Sequence, residues 1–240
     1  MATFVLISGA WHAAWCWERV VPLLEASGHT VVAPDLLGMG PDPTPVSTVT
    51  LADWAEQVAG IVRKQAERVI LVGHSRGGIV ISEAAERVPE RVDRLVYLAA
   101  YLLNNGSSIR DASSRIPHEG RGEVTEIRPD GTVVLKEDAV RPVFYNGTPD
   151  PWVARAQAQV TPESLSALTT PVHVTERRYG TVPRAYIECT LDNAVPIALQ
   201  RSFQSDLPCD RVITLATDHS PFYSAPELLA EALEELARPA

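Results

Sequence analysis

Short apolar runs alternate with amphipathic segments along the first hundred residues. Helical spacing marks segments from about Trp15 to Ser27 and from Leu51 to Val62, and Thr50 with Asp53 resembles a helix-capping pair before the second. The apolar runs are typical of strands buried on both faces of a parallel sheet; they span residues 3–7, 30–33, 69–72 and 92–99. This alternation predicts an α/β fold with a mostly parallel sheet and helices on both faces.

The pattern changes at about residue 103. The next eighty residues are loop-rich, with a predicted hairpin turn at Arg128–Gly131 and predicted helix starts at Asp150 and at Thr161–Pro162–Glu163. Strand patterns return at residues 184–190 and 211–215, and Ser224 with Glu227 predicts the cap of a last helix. We therefore predict one α/β domain, residues 1–102 and 184–240, with a lid inserted at residues 103–183.

The turn after the third apolar run carries the first chemical signal. Gly73, Ser75 and Gly77 form a Gly-x-Ser-x-Gly motif between a predicted strand and a predicted helix. This nucleophile elbow puts its serine in a strained backbone conformation, and the flanking glycines let strand and helix pack closely. Ser75 is therefore the predicted nucleophile.

A serine hydroxyl needs a base, and the base needs a group that orients it. Chains with this elbow place an acid and then a histidine after later strands. Of the six histidines, His219 alone lies downstream of both elbow and lid on a loop directly after a strand, and a solvent-exposed loop residue is the alternative interpretation. Asp192 is the predicted acid, with a plain helix N-cap as its alternative. The competing carboxylates are Asp206, Asp210 and Asp218.

A tetrahedral intermediate also needs hydrogen-bond donors for its oxyanion. One expected donor is the backbone N–H of Arg76, the residue after the nucleophile. The other is expected from the loop after the first strand, where Gly9 and Ala10 let backbone approach the substrate. We expect the Arg76 side chain to be solvated or ion-paired rather than catalytic. Bulky residues that could wall an apolar pocket, or equally belong to the core, are Trp11, Trp15, Tyr101, Phe144, Tyr145 and Trp152.

Composition narrows the classes of function. The 240 residues are 45% apolar and 21% charged, as in ordinary globular proteins, and the formal net charge is -9 without a cluster of Lys and Arg. We therefore expect no nucleic-acid partner. No apolar run is long enough for a transmembrane helix, and the N-terminus reads as a first strand rather than a signal peptide. The three cysteines lack the spacing of metal or redox sites, so we expect a cytoplasmic protein with free thiols and no metal or cofactor.

Five segments carry a resemblance over the whole chain: FVLISGAWHAAWCW, PLLEASGHTVVAPDL, GHSRGG, YIECTLDNAVP and DHSPFYSAPELL. They resemble the α/β-hydrolase family, in particular its branch of plant hydroxynitrile lyases and methylesterases; the lid matches poorly. The resemblance implies an α/β-hydrolase fold, a Ser75–His219–Asp192 triad and an oxyanion hole formed by the amides of Ala10 and Arg76. Hydrolysis of small to medium esters is the expected reaction.

The departures from that branch separate the alternatives. Its lyases place Thr or Asn where this chain has Gly9, and some place Lys where this chain has Ser220. Many relatives have His at the position of Ser8. The differences at Gly9 and Ser220 favour an esterase over a carbon–carbon lyase. A non-catalytic small-molecule receptor is the third hypothesis, and the complete triad speaks against it. The sequence is also compatible with a homodimer.

Overall fold

A parallel sheet forms the centre of the molecule. The computed structural model describes residues 1–115 and 124–238; residues 116–123 of the predicted lid, including His118, and residues 239–240 lie outside the described residues. The strands are β1 (Thr3–Ile7), β2 (Thr30–Val32), β3 (Val69–His74), β4 (Val92–Leu98), β5 (Thr125–Ile127), β6 (Thr132–Leu135), β7 (Glu163–Ser164), β8 (Arg184–Cys189) and β9 (Arg211–Leu215). Within the described ranges, the central sheet has the order β2-β1-β3-β4-β8-β9, and every neighbouring pair is parallel. The predicted fold class is confirmed.

Helices cover both faces of this sheet. They are α1 (Val21–Ala26), α2 (Leu51–Arg63), α3 (Gly77–Arg87), α4 (Ile109–Ser113), α5 (Glu137–Phe144), α6 (Asp150–Gln157), α7 (Leu165–Thr169), α8 (Ile197–Asp206), α9 (Pro221–Ser224) and α10 (Pro226–Ala237). Side chains of β1 alternate between two cores: Val5 and Ile7 pack with α2 and α3, whereas Phe4 and Leu6 pack with α1 and α10. Burial on both faces explains why the strand reads as a continuous apolar run.

One predicted helix and one predicted helix cap in the α/β core differ from the structure. The helix expected from Trp15 to Ser27 is a 3-10 turn at Ala14–Trp17 followed by α1, which has a proline in its first turn. Ser224 does not cap α10, because its hydroxyl donates to Asp218 Oδ1 at 2.7 Å. The Thr50–Asp53 capping box before α2 is confirmed.

The chain between β4 and β8 builds a second layer. Its strands form an antiparallel sheet in the order β5-β6-β7, and the β5–β6 hairpin turns at Arg128–Gly131 as predicted. The helix start predicted at Thr161 is wrong, because Glu163 and Ser164 pair with β6 and α7 begins only at Leu165. None of the helices in the described ranges is long and apolar enough to cross a membrane.

The elbow packs directly on the end of β1. A Cβ at Gly77 would lie 2.7 Å from the Ile7 carbonyl oxygen, and one at Gly73 would lie 2.6 Å from the Gly77 carbonyl oxygen. Both distances are shorter than a methyl group tolerates. Glycine at these positions therefore lets α3 start against the sheet.

Replacing Gly77 by Ala should lower the free energy of unfolding by about 1–3 kcal/mol, because the added methyl group overpacks the contact with β1. Gly60→Ala is the matched control, since Gly60 lies within α2 and a Cβ there would meet nothing within 4 Å. At that position, alanine should raise the free energy of unfolding by about 0.5–1 kcal/mol. Urea unfolding of both variants checks the pair, and equal stability of the two would contradict the packing argument.

Candidate active site

Ser75 occupies the turn between β3 and α3. Its φ is +52°, in the left-handed region that a non-glycine residue rarely adopts. Three backbone bonds hold this conformation. Ser75 N–H donates to the Leu98 carbonyl at 3.1 Å, and the Ser75 carbonyl accepts from Gly78 N–H at 3.0 Å and from Tyr101 N–H at 3.1 Å. Ser75 lines a cavity of about 820 Å³.

His219 and Asp192 meet on the loops after β9 and β8. His219 Nδ1 donates to Asp192 Oδ2 at 2.7 Å, and both side chains are fully buried. Asp192 Oδ1 accepts from the backbone N–H groups of Ala194 and Val195 at 2.7 and 2.8 Å. With the proton on Nδ1, His219 Nε2 is an acceptor, and it is buried with no hydrogen-bond partner among the described residues. The pair is therefore arranged to accept a proton at Nε2.

Two of the competing carboxylates, Asp218 and Asp206, bind other partners. Asp218 accepts hydrogen bonds from Gly147 N–H, Thr148 Oγ1, Ser220 N–H and Ser224 Oγ, at 2.7 to 3.1 Å. Its carboxylate therefore joins the His219 loop to the chain after α5. Asp206 ends α8 and forms an ion pair with Arg115 on the surface.

The two residues expected to supply the oxyanion donors lie at the same cavity as Ser75. Ala10 and Arg76 both line it, and in the described part of the chain neither backbone N–H donates to another protein group. A Cβ at Gly9 would lie 2.9 Å from Ser75 Cβ and 2.8 Å from His74 Nδ1. Gly9 thus packs beneath the nucleophile, whereas the cavity is lined by its neighbour Ala10.

Two further buried histidines hold the site together, and no sequence pattern indicated their burial. His74 Nε2 donates to the His219 carbonyl at 2.8 Å. His12 Nδ1 donates to the Ala10 carbonyl at 2.7 Å, and His12 Nε2 accepts from the Tyr145 hydroxyl at 2.5 Å. Burial lowers the pKa of His12 from 6.5 to about 4 and that of His74 well below 6.5. Both rings are therefore neutral near pH 7.

The Arg76 side chain is buried and ion-paired, so the solvated alternative is wrong. Its Nε donates to Glu163 Oε2 at 3.3 Å, its Nη2 donates to the Gly9 carbonyl at 2.9 Å, and its guanidinium lies 4.2 Å from the centre of the Trp54 ring. Burial raises the pKa of Glu163 against the opposing attraction of Arg76. Glu163 was not among the predicted site residues, because Pro162 before it resembled a helix start.

The predicted pocket residues divide into two groups. Trp11, Tyr101 and Phe144 line the cavity, but Gly9, Trp15, Tyr145 and Trp152 are not among its lining residues in the described ranges. Trp15 stacks on His12 with ring centres 5.1 Å apart, and Trp152 packs on Tyr223 at 5.0 Å. The other apolar walls are Ile109, Val124, Ile127, Val133, Val143, Leu165, Leu168, Ala194 and Val195.

Within residues 1–115 and 124–238, no group of three or more His, Cys, Asp or Glu is placed to hold a metal ion. Cys16, Cys189 and Cys209 are free thiols.

The low pKa of His12 predicts a stability that falls in acid. Because the pKa is 6.5 in the unfolded chain and about 4 in the folded one, the unfolded chain binds more protons between these values. The stabilisation is therefore complete above pH 6.5 and is lost as the pH falls towards 4. From pH 7 to pH 5 this histidine should remove about 2 kcal/mol from the free energy of unfolding.

His12→Asn keeps a donor for the Ala10 carbonyl but does not titrate, so its loss of stability from pH 7 to pH 5 should be smaller than that of the wild type by this amount. Urea unfolding at the two pH values measures the difference. His173→Asn, at an exposed histidine, is the control and should keep the wild-type pH dependence. An unchanged pH dependence in His12→Asn would contradict the assignment.

Comparison with known proteins agrees with this geometry. Residues 4–232 match the family described as "Alpha/beta hydrolase family". The chain is 32% identical over 250 residues to putative methylesterase 11, chloroplastic, of Arabidopsis thaliana, covering 98% of this chain and 64% of that relative's length. It is 34% identical over 250 residues to the pyrethroid hydrolase of Sphingobium wenxiniae, covering 97% of this chain and 86% of the relative.

A solved structure extends the agreement to three dimensions. The crystal structure of polyneuridine aldehyde esterase superposes with a TM-score of 0.89 at 25% sequence identity, over 99% of this chain and all of that one (100%). The expected resemblance is confirmed, and the chain belongs to the α/β-hydrolase family.

Proposed function

We propose that this protein hydrolyses carboxylic esters through an acyl-enzyme on Ser75. The observation that carries the proposal is the buried His219–Asp192 hydrogen bond of 2.7 Å, which leaves His219 Nε2 as an acceptor. The left-handed elbow serine and two unengaged amides lie at one cavity, which supports the same reaction. The family relatives named as a methylesterase and a pyrethroid hydrolase also support it.

In the proposed reaction each group has one role. Ser75 Oγ attacks the ester carbonyl while His219 Nε2 accepts the hydroxyl proton, and Asp192 stabilises the imidazolium that forms. The amides of Ala10 and Arg76 receive the developing oxyanion, and in comparable sites such a donor contributes about 3–4 kcal/mol of transition-state stabilisation. His219 then returns the proton to the leaving alcohol. Water, deprotonated by the same histidine, releases the acid.

The cavity favours an apolar ester of small to medium size. Its volume of about 820 Å³ lies within the usual range for small-molecule sites, and most of its lining side chains are apolar. The chain between β4 and β8 supplies many of them, including Val133, Phe144 and Leu165. We therefore propose that residues 103–183 act as a lid that selects the substrate. The free cysteines support a cytoplasmic location, which stays a prediction, as does a homodimer.

The lyase alternative is less well supported. A side chain at position 9 would meet His74 and Ser75 at less than 3 Å, so this backbone has no room for the Thr or Asn expected of the lyases. Cyanide release from a cyanohydrin, without ester cleavage, would favour the lyase. Tight binding of an ester without turnover would favour a receptor.

Ser75→Ala should abolish turnover of short and medium-chain p-nitrophenyl esters, with a loss of roughly 10⁶-fold in kcat by comparison with other serine hydrolases. The fold should be kept, because the hydroxyl serves chemistry rather than packing. Thermal unfolding of the variant supplies the control. Full activity in this variant would contradict the assignment of the nucleophile.

Asp192→Asn should lower kcat by about 10⁴-fold, because the amide favours the wrong tautomer of His219. Asp218→Asn is the matched variant. It should affect stability more than kcat, because the Asp218 carboxylate accepts hydrogen bonds from two backbone N–H groups and two hydroxyl groups. Steady-state kinetics and urea unfolding separate the two effects. A larger loss of kcat in Asp218→Asn would show that the acid is misassigned.

A further inference from the structure

The loop after β1 spans residues 8–13 and is called the β1 loop. Hydrogen bonds hold its backbone at three successive residues. The Gly9 carbonyl accepts from Arg76 Nη2 at 2.9 Å, the Ala10 carbonyl accepts from His12 Nδ1 at 2.7 Å, and Trp11 N–H donates to Glu163 Oε2 at 3.2 Å. The Ala10 N–H, between these bonds, donates to no other protein group in the described ranges. The bonds therefore fix the orientation of the Gly9–Ala10 peptide group, and Ala10 lines the same cavity as Ser75.

Trp11 ties the same loop to the second layer of the molecule. Its φ is +62°, its carbonyl accepts from Thr161 N–H at 3.1 Å, and its indole Nε1 donates to the Val133 carbonyl at 2.9 Å. With the bond from Trp11 N–H to Glu163, three hydrogen bonds thus join one left-handed residue to β6, β7 and the segment before β7. The loop conformation depends on that layer.

We propose that Arg76 and Glu163 are positioning residues for the oxyanion hole, with Arg76 polarising the Gly9–Ala10 peptide group and Glu163 holding both Arg76 and the loop. The Gly9 carbonyl and the Ala10 N–H are the two ends of one peptide group. A charge-assisted bond to its oxygen draws electron density from its nitrogen, so the N–H becomes a stronger donor. The proposal rests on the proposed function, since it requires an oxyanion to develop beside Ser75.

Arg76 thereby serves both donors. Its own backbone N–H is one of them, and its side chain acts on the other through Gly9. Stability alone does not explain this arginine, because an apolar side chain in place of a buried ion pair is often equally stable or more stable. Glu163 Oε2 accepts from both Arg76 Nε and Trp11 N–H, which makes it the shared anchor of the two elements.

The test uses three variants and a matched control. Arg76→Met keeps an extended side chain against Trp54 without the charge, Arg76→Lys keeps the charge, and Glu163→Gln keeps the shape of the anchor. The control is Glu83→Gln: the Glu83 carboxylate is also buried and bonds an arginine, Arg87, at 2.7 Å and a backbone N–H, that of His173, at 2.7 Å. It has the same kinds of partner but no bond to the β1 loop.

Each variant is assayed for hydrolysis of p-nitrophenyl butyrate and for binding of an aryl trifluoromethyl ketone and the matching methyl ketone. The trifluoromethyl ketone forms an anionic hemiketal with a reactive serine, whereas the methyl ketone reports ground-state binding. In Arg76→Met, kcat/KM and the affinity for the trifluoromethyl ketone should both fall about 10–100-fold, which is less than the loss expected when an oxyanion donor itself is removed. KM and the affinity for the methyl ketone should be nearly unchanged. Glu163→Gln should lose about tenfold in both quantities, and Arg76→Lys should recover part of the loss. Glu83→Gln should match the wild type.

Equal losses of affinity for the two ketones would overturn the proposal, because they would indicate a general distortion of the cavity. So would a loss in Glu83→Gln as large as that in Glu163→Gln. If Arg76→Met does not fold, the kinetics and ketone affinities of Arg76→Lys and Glu163→Gln test the proposal in its place. Ketone binding does not require ester turnover, so an inactive wild type would contradict the proposed function, whereas unchanged ketone selectivity in the variants would contradict the positioning role.

Discussion

The close contact between the β1 loop and the elbow is the constraint on which the site depends. Gly77 meets the Ile7 carbonyl and Gly9 meets Ser75 Cβ at distances that leave no space for a side chain. This contact brings Ala10 and Arg76 to one cavity with Ser75, the proposed nucleophile. An oxyanion hole needs two donors fixed in position before the reaction begins. Here the absence of a Cβ at Gly9 and at Gly77 lets the β1 loop and the elbow approach closely enough.

Bringing backbone this close together leaves polar groups away from water, and buried charged or neutral side chains satisfy them. Arg76 bonds the Gly9 carbonyl, while neutral His12 and His74 donate to the carbonyls of Ala10 and His219. Burial keeps both histidines uncharged near neutral pH, so they orient loops without adding positive charge beside His219. The proposed base, His219, therefore has neutral histidines as neighbours, and these do not add a positive charge that would oppose its protonation.

The fold and the order of the site residues could be predicted from the sequence, because these depend on local patterns. Continuous apolar runs and period-3.6 spacing marked the strands and helices, and the positions of Asp192 and His219 after β8 and β9 follow from the parallel topology. The partner of Arg76 could not be predicted, since Glu163 lies 87 residues away and no local pattern reports such a contact. The aromatic residues show the same limit: Trp11 lines the cavity and Trp15 packs against the core, although both are tryptophans close together in the chain.

The second layer contributes both to the wall of the cavity and to the anchoring of the β1 loop, through strands β6 and β7. Val133 of β6 contributes a wall of the cavity and a carbonyl that accepts from Trp11. Glu163 of β7 anchors both Trp11 and Arg76. A change in these strands that reshapes the cavity is therefore also expected to move the loop that carries Ala10. In the proposed mechanism, one antiparallel sheet therefore couples substrate selection to stabilisation of the oxyanion, and variation in β6 and β7 is expected to alter rate as well as specificity.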